Sequence, residues 1–215
     1  MKKLAIMGLG LMGGSIGLAA KKAGVAEVVA GYARREESRR LAMELGIVDK
    51  VYSGAAESVE SADMAVFCVP VLAIPALAGD CKSGLSKGCI VTDVGSTKKQ
   101  LETQMRSALE GTGAVFVGSH PIAGSEMTGL SAARADLFEG AMVVVTEGEG
   151  KEKTEAVVDM WSQFGARVCV MSSDRHDEIL AKTSHLPHLL AAGLARHVLG
   201  AGDDDVQNFC GSGFN

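Results

Sequence analysis

Five histidines occur in this 215-residue chain, and three of them stand in segments whose neighbours suit chemistry. His120 lies in Gly118-Ser119-His120-Pro121-Ile122-Ala123-Gly124-Ser125, directly behind the apolar run Val115-Phe116-Val117. An imidazole titrates near neutral pH, so a histidine fixed at a strand end by the following proline can serve as a general base. The competing account makes it a turn cap held by hydrogen bonds. Asp93-Val94-Gly95-Ser96-Thr97-Lys98 closes another apolar run in the same way. Gly95 favours a backbone turn, Ser96 can donate or accept, and Lys98 and Lys99 offer positive charge to an anion. Alternatively Ser96 is an ordinary helix N-cap. His185 and His188, three apart in Ser184-His185-Leu186-Pro187-His188, fall on one side of a helix start. A substrate carboxylate suits this pair better than zinc, which needs further ligands that Cys169 or Asp177 supply poorly. No metal is expected, and His176 and His197 are given no role.

These groups need a reaction partner, and the amino terminus provides a candidate. Gly8-Leu9-Gly10-Leu11-Met12-Gly13 follows the apolar run Leu4-Ala5-Ile6-Met7. That order predicts a buried parallel strand, a tight glycine turn and a helix whose unpaired N–H groups hold a pyrophosphate. Val28-Val29-Ala30-Gly31-Tyr32 then leads into Ala33-Arg34-Arg35, with Arg39 and Arg40 a helical turn further on. An NAD site usually places an acid about 20 residues after the fingerprint, for the ribose 2′-hydroxyl. Here Ala33 and Arg34 occupy that position, and an arginine fork suits the 2′-phosphate of NADP. Arg34 and Arg35 are therefore assigned to NADP, with NAD the second choice and a merely solvated helix start the plain alternative. Tyr32 and Pro70, which close their strands, and Ser96 are counted with the cofactor residues.

The positioning elements alternate. A first helix ends at Gly24, and a second covers Glu37 to Glu44 and closes at Gly46. Apolar strands are predicted at Met64–Val69, Cys89–Val94, Val115–Gly118, Ala141–Thr146 and Arg167–Met171, with a helix through Trp161 and Phe164. Pro70 and Pro75 make the helix after the third strand short or interrupted at its start. Continuous apolar strands alternating with helices indicate an α/β, doubly wound (Rossmann-type) sheet covered on both faces. From about residue 172 only helices remain, at Asp174 to Ser184 and Pro187 to Leu199. The expected domains are 1–171 for the dinucleotide and 172–215 for the start of a helical domain, whose apolar faces call for a second copy of the chain.

The net charge of -5 argues against a nucleic-acid surface. Five cysteines without a CxxC pair fit buried thiols in a reducing compartment. Gly8, Gly10, Gly13, Gly14 and Gly17 interrupt the uncharged amino-terminal stretch, so a nucleotide turn explains it better than a signal peptide. A cytoplasmic protein without a membrane span is expected.

Four linked motifs, Gly8-Leu9-Gly10-Leu11-Met12-Gly13-Gly14-Ser15, Thr92-Asp93-Val94-Gly95-Ser96-Thr97-Lys98, Gly118-Ser119-His120-Pro121-Ile122-Ala123-Gly124 and Ser184-His185-Leu186-Pro187-His188, give the whole chain a resemblance to prephenate dehydrogenase, including its arogenate and cyclohexadienyl variants. The resemblance implies oxidative decarboxylation of prephenate or arogenate in tyrosine biosynthesis, an NAD or NADP cofactor, and a homodimer built from a helical carboxyl-terminal domain. It implies that His120 is the catalytic histidine bonding the substrate ring hydroxyl, with Ser96 near that hydroxyl and the nicotinamide. His188, with His185 beside it, would line the substrate pocket, and Gly124, Ser125 and Glu126 would border it. Retention of His188 leans toward prephenate or dual use. The family continues past a segment like Gly213-Phe214 to an arginine for the substrate carboxylate and most of the dimerisation helices, so this sequence is expected to be an amino-terminal portion. The competing functions are another dehydrogenase of the beta-hydroxyacid or pyrroline carboxylate reductase type, and a non-catalytic nucleotide-binding module.

Overall fold

Strand β1 (Lys3–Met7) is apolar at every position from Leu4 onward because both its faces are covered. Leu4 and Ile6 point to one side, against Ile16, Ala19 and Ala20 of helix α1 (Leu11–Ala23). Ala5 and Met7 point to the other, into a core completed by α4 (Ile74–Cys81) and α5 (Lys99–Ala108). The computed structural model describes residues 1–123 and 127–199. Between these helices run β2 (Val28–Tyr32), α2 (Glu36–Glu44), β3 (Lys50–Tyr52), α3 (Ala55–Val59), β4 (Met64–Phe67) and β5 (Ile90–Asp93), and β6 (Val115–Phe116) follows α5. The six strands form one parallel sheet in the order β3-β2-β1-β4-β5-β6. Chain order reverses between β1 and β4, and a ligand crevice opens beyond the carboxyl ends of the strands at such a point.

The expected helix stops are present. Gly24 ends α1 at φ +65°, where its N–H bonds to the Lys21 carbonyl. Pro75 stands in the first turn of α4, and a 3₁₀ turn (Val71–Ala73) precedes that helix. Two short elements, β3 and α3, were not expected.

The remaining strands depart from the one-sheet expectation. β7 (Ser119–Ile122), β8 (Met142–Thr146) and β9 (Arg167–Met171) form a second sheet, with β7 antiparallel and β9 parallel to β8. Val143 and Val145 of β8 meet Val157, Met160 and Trp161 of α6 (Lys151–Gln163) in the same core that contains Leu4, Ile6 and Ile16. Phe138, Trp161 and Phe164 close it with edge-on and tilted ring contacts.

Two compact units are present, Met1–His176 and Asp177–Asn215. Helix α7 (Ser173–Leu180) runs into a π-helical segment (Ala181–His185) and then α8 (Leu186–Leu199). The expected break between two helices is therefore a π turn, and Pro187 is accommodated because it stands in the first turn of α8. On α8, Leu186, Leu189, Leu190 and Leu194 are exposed. Among the described residues no helix is long and apolar enough to cross a membrane.

Cys81 and Cys89 are buried, and burial is the main reason that both thiols are pushed up to about 12. The native protein at pH 8 is therefore expected to expose neither thiolate to a disulfide reagent. Titration of native and urea-unfolded protein checks this; prompt native-state reaction of both sulfurs would contradict it.

Candidate active site

The glycine turn is shaped by backbone contacts that a side chain would obstruct. Gly8 adopts φ +115°, donates its N–H to the Tyr32 carbonyl at 3.1 Å, and lies against Cys68. A Cβ at Gly13 would sit 1.9 Å from the Gly8 carbonyl oxygen, so the helix starts this close to the strand only with glycine there. A Cβ at Gly10, by contrast, would meet nothing within 4 Å. Gly10 is the N-cap of helix α1, which has neither a side-chain cap bond nor an acid in its first turn. Its leading N–H groups thus face an open cradle of positive partial charge, which fits a dinucleotide pyrophosphate. Leu9 is buried, while Leu11 and Met12 are half-buried beside the turn.

The loop after β2 is held from within. Arg39 donates from Nη1 to the carbonyls of Ala33 and Arg34, each at 2.8 Å. Arg34 and Arg35 are exposed on that braced loop, Tyr32 is half-buried at the end of β2, and Pro70 is exposed where it opens the 3₁₀ turn after β4.

At the end of β5 stands a buried ionic cluster that the sequence did not reveal. Asp93 and Lys98 are respectively 0% and 1% exposed and form an ion pair. Asp93 also accepts the Gly95 N–H at 2.7 Å and the Ser119 N–H at 3.1 Å. Lys98 donates further to the Ser119 carbonyl at 2.9 Å. The Ser119 hydroxyl donates to the Asp93 carbonyl at 2.5 Å, which leaves Thr92 to donate to Ser119 Oγ at 3.0 Å. This corrects the expectation for the two lysines: Lys98 is spent inside the protein, and Lys99 pairs with Asp174. Ser96 is exposed and is not the helix N-cap, because α5 begins after Lys98.

The cluster welds the carboxyl end of the parallel sheet to the first residue of β7, and His120 follows immediately. His120 is therefore not on a loop past a strand, as expected, but within the edge strand β7, opposite Val144. Pro121 is tolerated beside it because an edge strand can leave one ladder position without an N–H donor. His120 is half-buried, and its Nδ1 lies 2.9 Å from Nε2 of His176, a fully buried histidine of α7. The sequence pattern assigns His176 no role, and the structure places it against the candidate base.

The sequence matches the family description "Prephenate dehydrogenase, nucleotide-binding domain" over residues 16–170 and "Prephenate dehydrogenase, dimerization domain" over 172–215. The chain belongs to the prephenate dehydrogenase family. It is 35% identical over 202 residues to the cyclohexadienyl dehydrogenase of Zymomonas mobilis, covering 93% of this chain and 68% of that protein. It is 36% identical over 198 residues to the prephenate dehydrogenase of Lactococcus lactis, covering 90% of this chain but 53% of the relative. The fold matches a crystal structure of prephenate dehydrogenase from A. aeolicus, in complex with hydroxyphenyl propionate and NAD+, with a TM-score of 0.90 and 30% identity over 100% of this chain and 76% of that one. The chain thus spans between about half and three quarters of the length of these prephenate dehydrogenase relatives.

In this family member the glycine turn, Tyr32, Pro70 and Ser96 stand at or just past the carboxyl ends of β1, β2, β4 and β5, and His120 follows Ser119, whose N–H bonds to Asp93 at the end of β5. His185 and His188 belong to the second unit, where both are exposed. His188 Nδ1 lies 2.8 Å from the Ser184 carbonyl, which only accepts, so Nδ1 carries the proton and Nε2 is the nitrogen for other contacts. Ser125 and Glu126, together with Gly124, lie outside the described residues. Among the described residues no cluster of three or more histidine, cysteine, aspartate or glutamate side chains could hold a metal ion.

Proposed function

We propose that this chain carries the cofactor site and the catalytic histidine of an enzyme that oxidatively decarboxylates prephenate, arogenate or both, with NADP as the preferred cofactor and NAD as the alternative. The observation that supports it most is the fastening of His120 to the end of β5 by the Asp93–Lys98–Ser119 cluster. That fastening fixes a base at the rim of a dinucleotide crevice. Gly8, Gly10 and Gly13 shape the cradle for the pyrophosphate, Arg34 and Arg35 take the 2′-phosphate, and Tyr32 and Pro70 flank the bound nucleotide. When bound, the oxidised nicotinamide supplies a hydride acceptor for the ring carbon that bears the hydroxyl.

His120 withdraws the hydroxyl proton while the carbon–oxygen bond becomes a carbonyl. Ser96 orients that hydroxyl. The ring carboxylate then departs as carbon dioxide, and its bonding electrons complete the aromatic ring. His188 and His185, with Ser125 and Glu126, are assigned to substrate binding. Residues 1–171 serve the cofactor and 172–215 begin the dimerisation domain. The exposed leucines of α8 supply an apolar face for a homodimer, and the buried thiols suit the cytoplasm.

A spectrophotometric assay with prephenate and with arogenate, each run with NAD and NADP, tests the proposal. Turnover of neither substrate alongside tight nucleotide binding would favour a nucleotide-binding module. Arg34→Ala is expected to weaken NADP by about 10-fold or more, the scale of a lost charge-assisted bond. NAD should change little; an unaltered NADP-to-NAD affinity ratio would remove Arg34 from the phosphate site.

A further inference from the structure

We propose that His176 is a positioning residue that fixes the tautomer of His120, keeping the proton on Nδ1 so that Nε2 carries the lone pair. The inference rests on the role given to His120 above and names the partner that makes it a base. The two facing nitrogens are 2.9 Å apart, and the rings meet at 68° with centroids 5.1 Å apart, so the contact is edgewise and not a stack. A nitrogen–nitrogen contact this short is attractive only when one atom carries hydrogen and the other does not. Two arrangements satisfy that rule. If His176 donates, the neutral His120 ring holds its own proton on Nε2 and has no basic nitrogen left for a substrate. If His120 donates from Nδ1, its Nε2 is the base.

Burial favours the second arrangement during the reaction. His176 is 0% exposed, so a charge on its own ring is disfavoured while its neutral Nε2 remains an acceptor. Once His120 has gained a proton at Nε2, the Nδ1–H···Nε2 bond becomes charge-assisted and strengthens as the reaction proceeds. The histidine pair thus does with a neutral ring what a carboxylate does behind the histidine of a serine protease.

The scaffold that holds the pair is hydrogen-bonded at both ends. His120 is fixed by Ser119 to Asp93 and Lys98. On the other side Ser172 starts α7: its hydroxyl accepts the Arg175 N–H at 3.3 Å, and its carbonyl accepts the His176 N–H at 3.0 Å. β8 lies between the two strands and registers them, Val144 facing His120 on one edge and Cys169 on the other.

The test is long-range proton–nitrogen NMR on the full chain labelled with ¹⁵N in histidine, combined with steady-state kinetics. The wild-type spectrum should show His120 protonated at Nδ1 and bare at Nε2. His176→Leu should move the proton to Nε2 and lower kcat about 10–100-fold, the scale for a lost orienting partner, with KM within about twofold. His176→Gln offers an amide oxygen to Nδ1–H and should keep the tautomer and most of the turnover. It also keeps the test decisive should the leucine variant not fold. A wild-type His120 protonated at Nε2, or a tautomer indifferent to His176→Leu, overturns the proposal. An Nδ1–H tautomer in a chain that turns over neither prephenate nor arogenate leaves the pairing intact and sinks the dehydrogenase reading instead.

Discussion

His120→Asn is expected to lower kcat by about 10²–10⁴-fold, the usual contribution of a positioned general base. The affinity for NADP should stay within about twofold, because the cradle at Gly8–Gly13 does not involve β7. Asparagine keeps a polar side chain at this half-buried position of the edge strand but has no nitrogen able to take a proton. Pre-steady-state or steady-state turnover, set against nucleotide titration by fluorescence, separates the two quantities. Equal losses in both would make His120 a structural residue of the junction between the sheets.

The second large effect is on stability. Lys98→Met should destabilise the native state by about 3–5 kcal/mol, because it strands a carboxylate that has no solvent to turn to. Asp93 would keep its bonds from the Gly95 and Ser119 N–H groups, but no cation would remain among its known partners. Urea unfolding measures the change. Adding Asp93→Leu to Lys98→Met should recover only part of it, since the carboxylate also satisfies those two backbone donors. A loss below about 1 kcal/mol in the single variant would mean that the pair is far better hydrated than its burial indicates.

What the sequence reveals follows from which residues announce their surroundings. The fingerprint was legible because glycine at Gly8 and Gly13 answers a backbone requirement that no other residue meets, and the buried strands because both faces are apolar. β3 escaped notice since Lys50–Tyr52 offers one aliphatic residue in three. β7 escaped because Ser-His-Pro-Ile contains a proline and alternates no apolar face, as an edge strand need not. Its antiparallel pairing with β8 joins residues at least 20 apart in sequence, Ile122 with Met142 being the nearest pair, which no local pattern encodes.

The site is unevenly legible for similar reasons. His120 and Ser96 stood in motifs, and the structure brings their segments together at Asp93 and Ser119. The burial of Lys98 is hidden in the sequence because lysine is normally solvated, and the turn that folds it back onto Asp93 has no helical or strand periodicity. His176 sits in Ser-Asp-Arg-His-Asp-Glu, a run whose charges suggest a wholly solvated helix start. Its ring meets His120 of the edge strand β7, a contact that no local pattern announces.

The π-helical segment Ala181–His185 acts as an absorbed insertion between two stretches of ordinary helix. A π turn takes one residue more than an α turn for about the same sweep, so deleting one residue there would restore regular winding and leave everything downstream nearly in phase. Leu186, Leu189, Leu190 and Leu194 would then keep their quarter of the compass, and His188 with them. The loss of a single codon is thus harmless to the outward face of this helix at the π turn, whereas the same loss in an ordinary stretch would screw every later side chain round by about 100°.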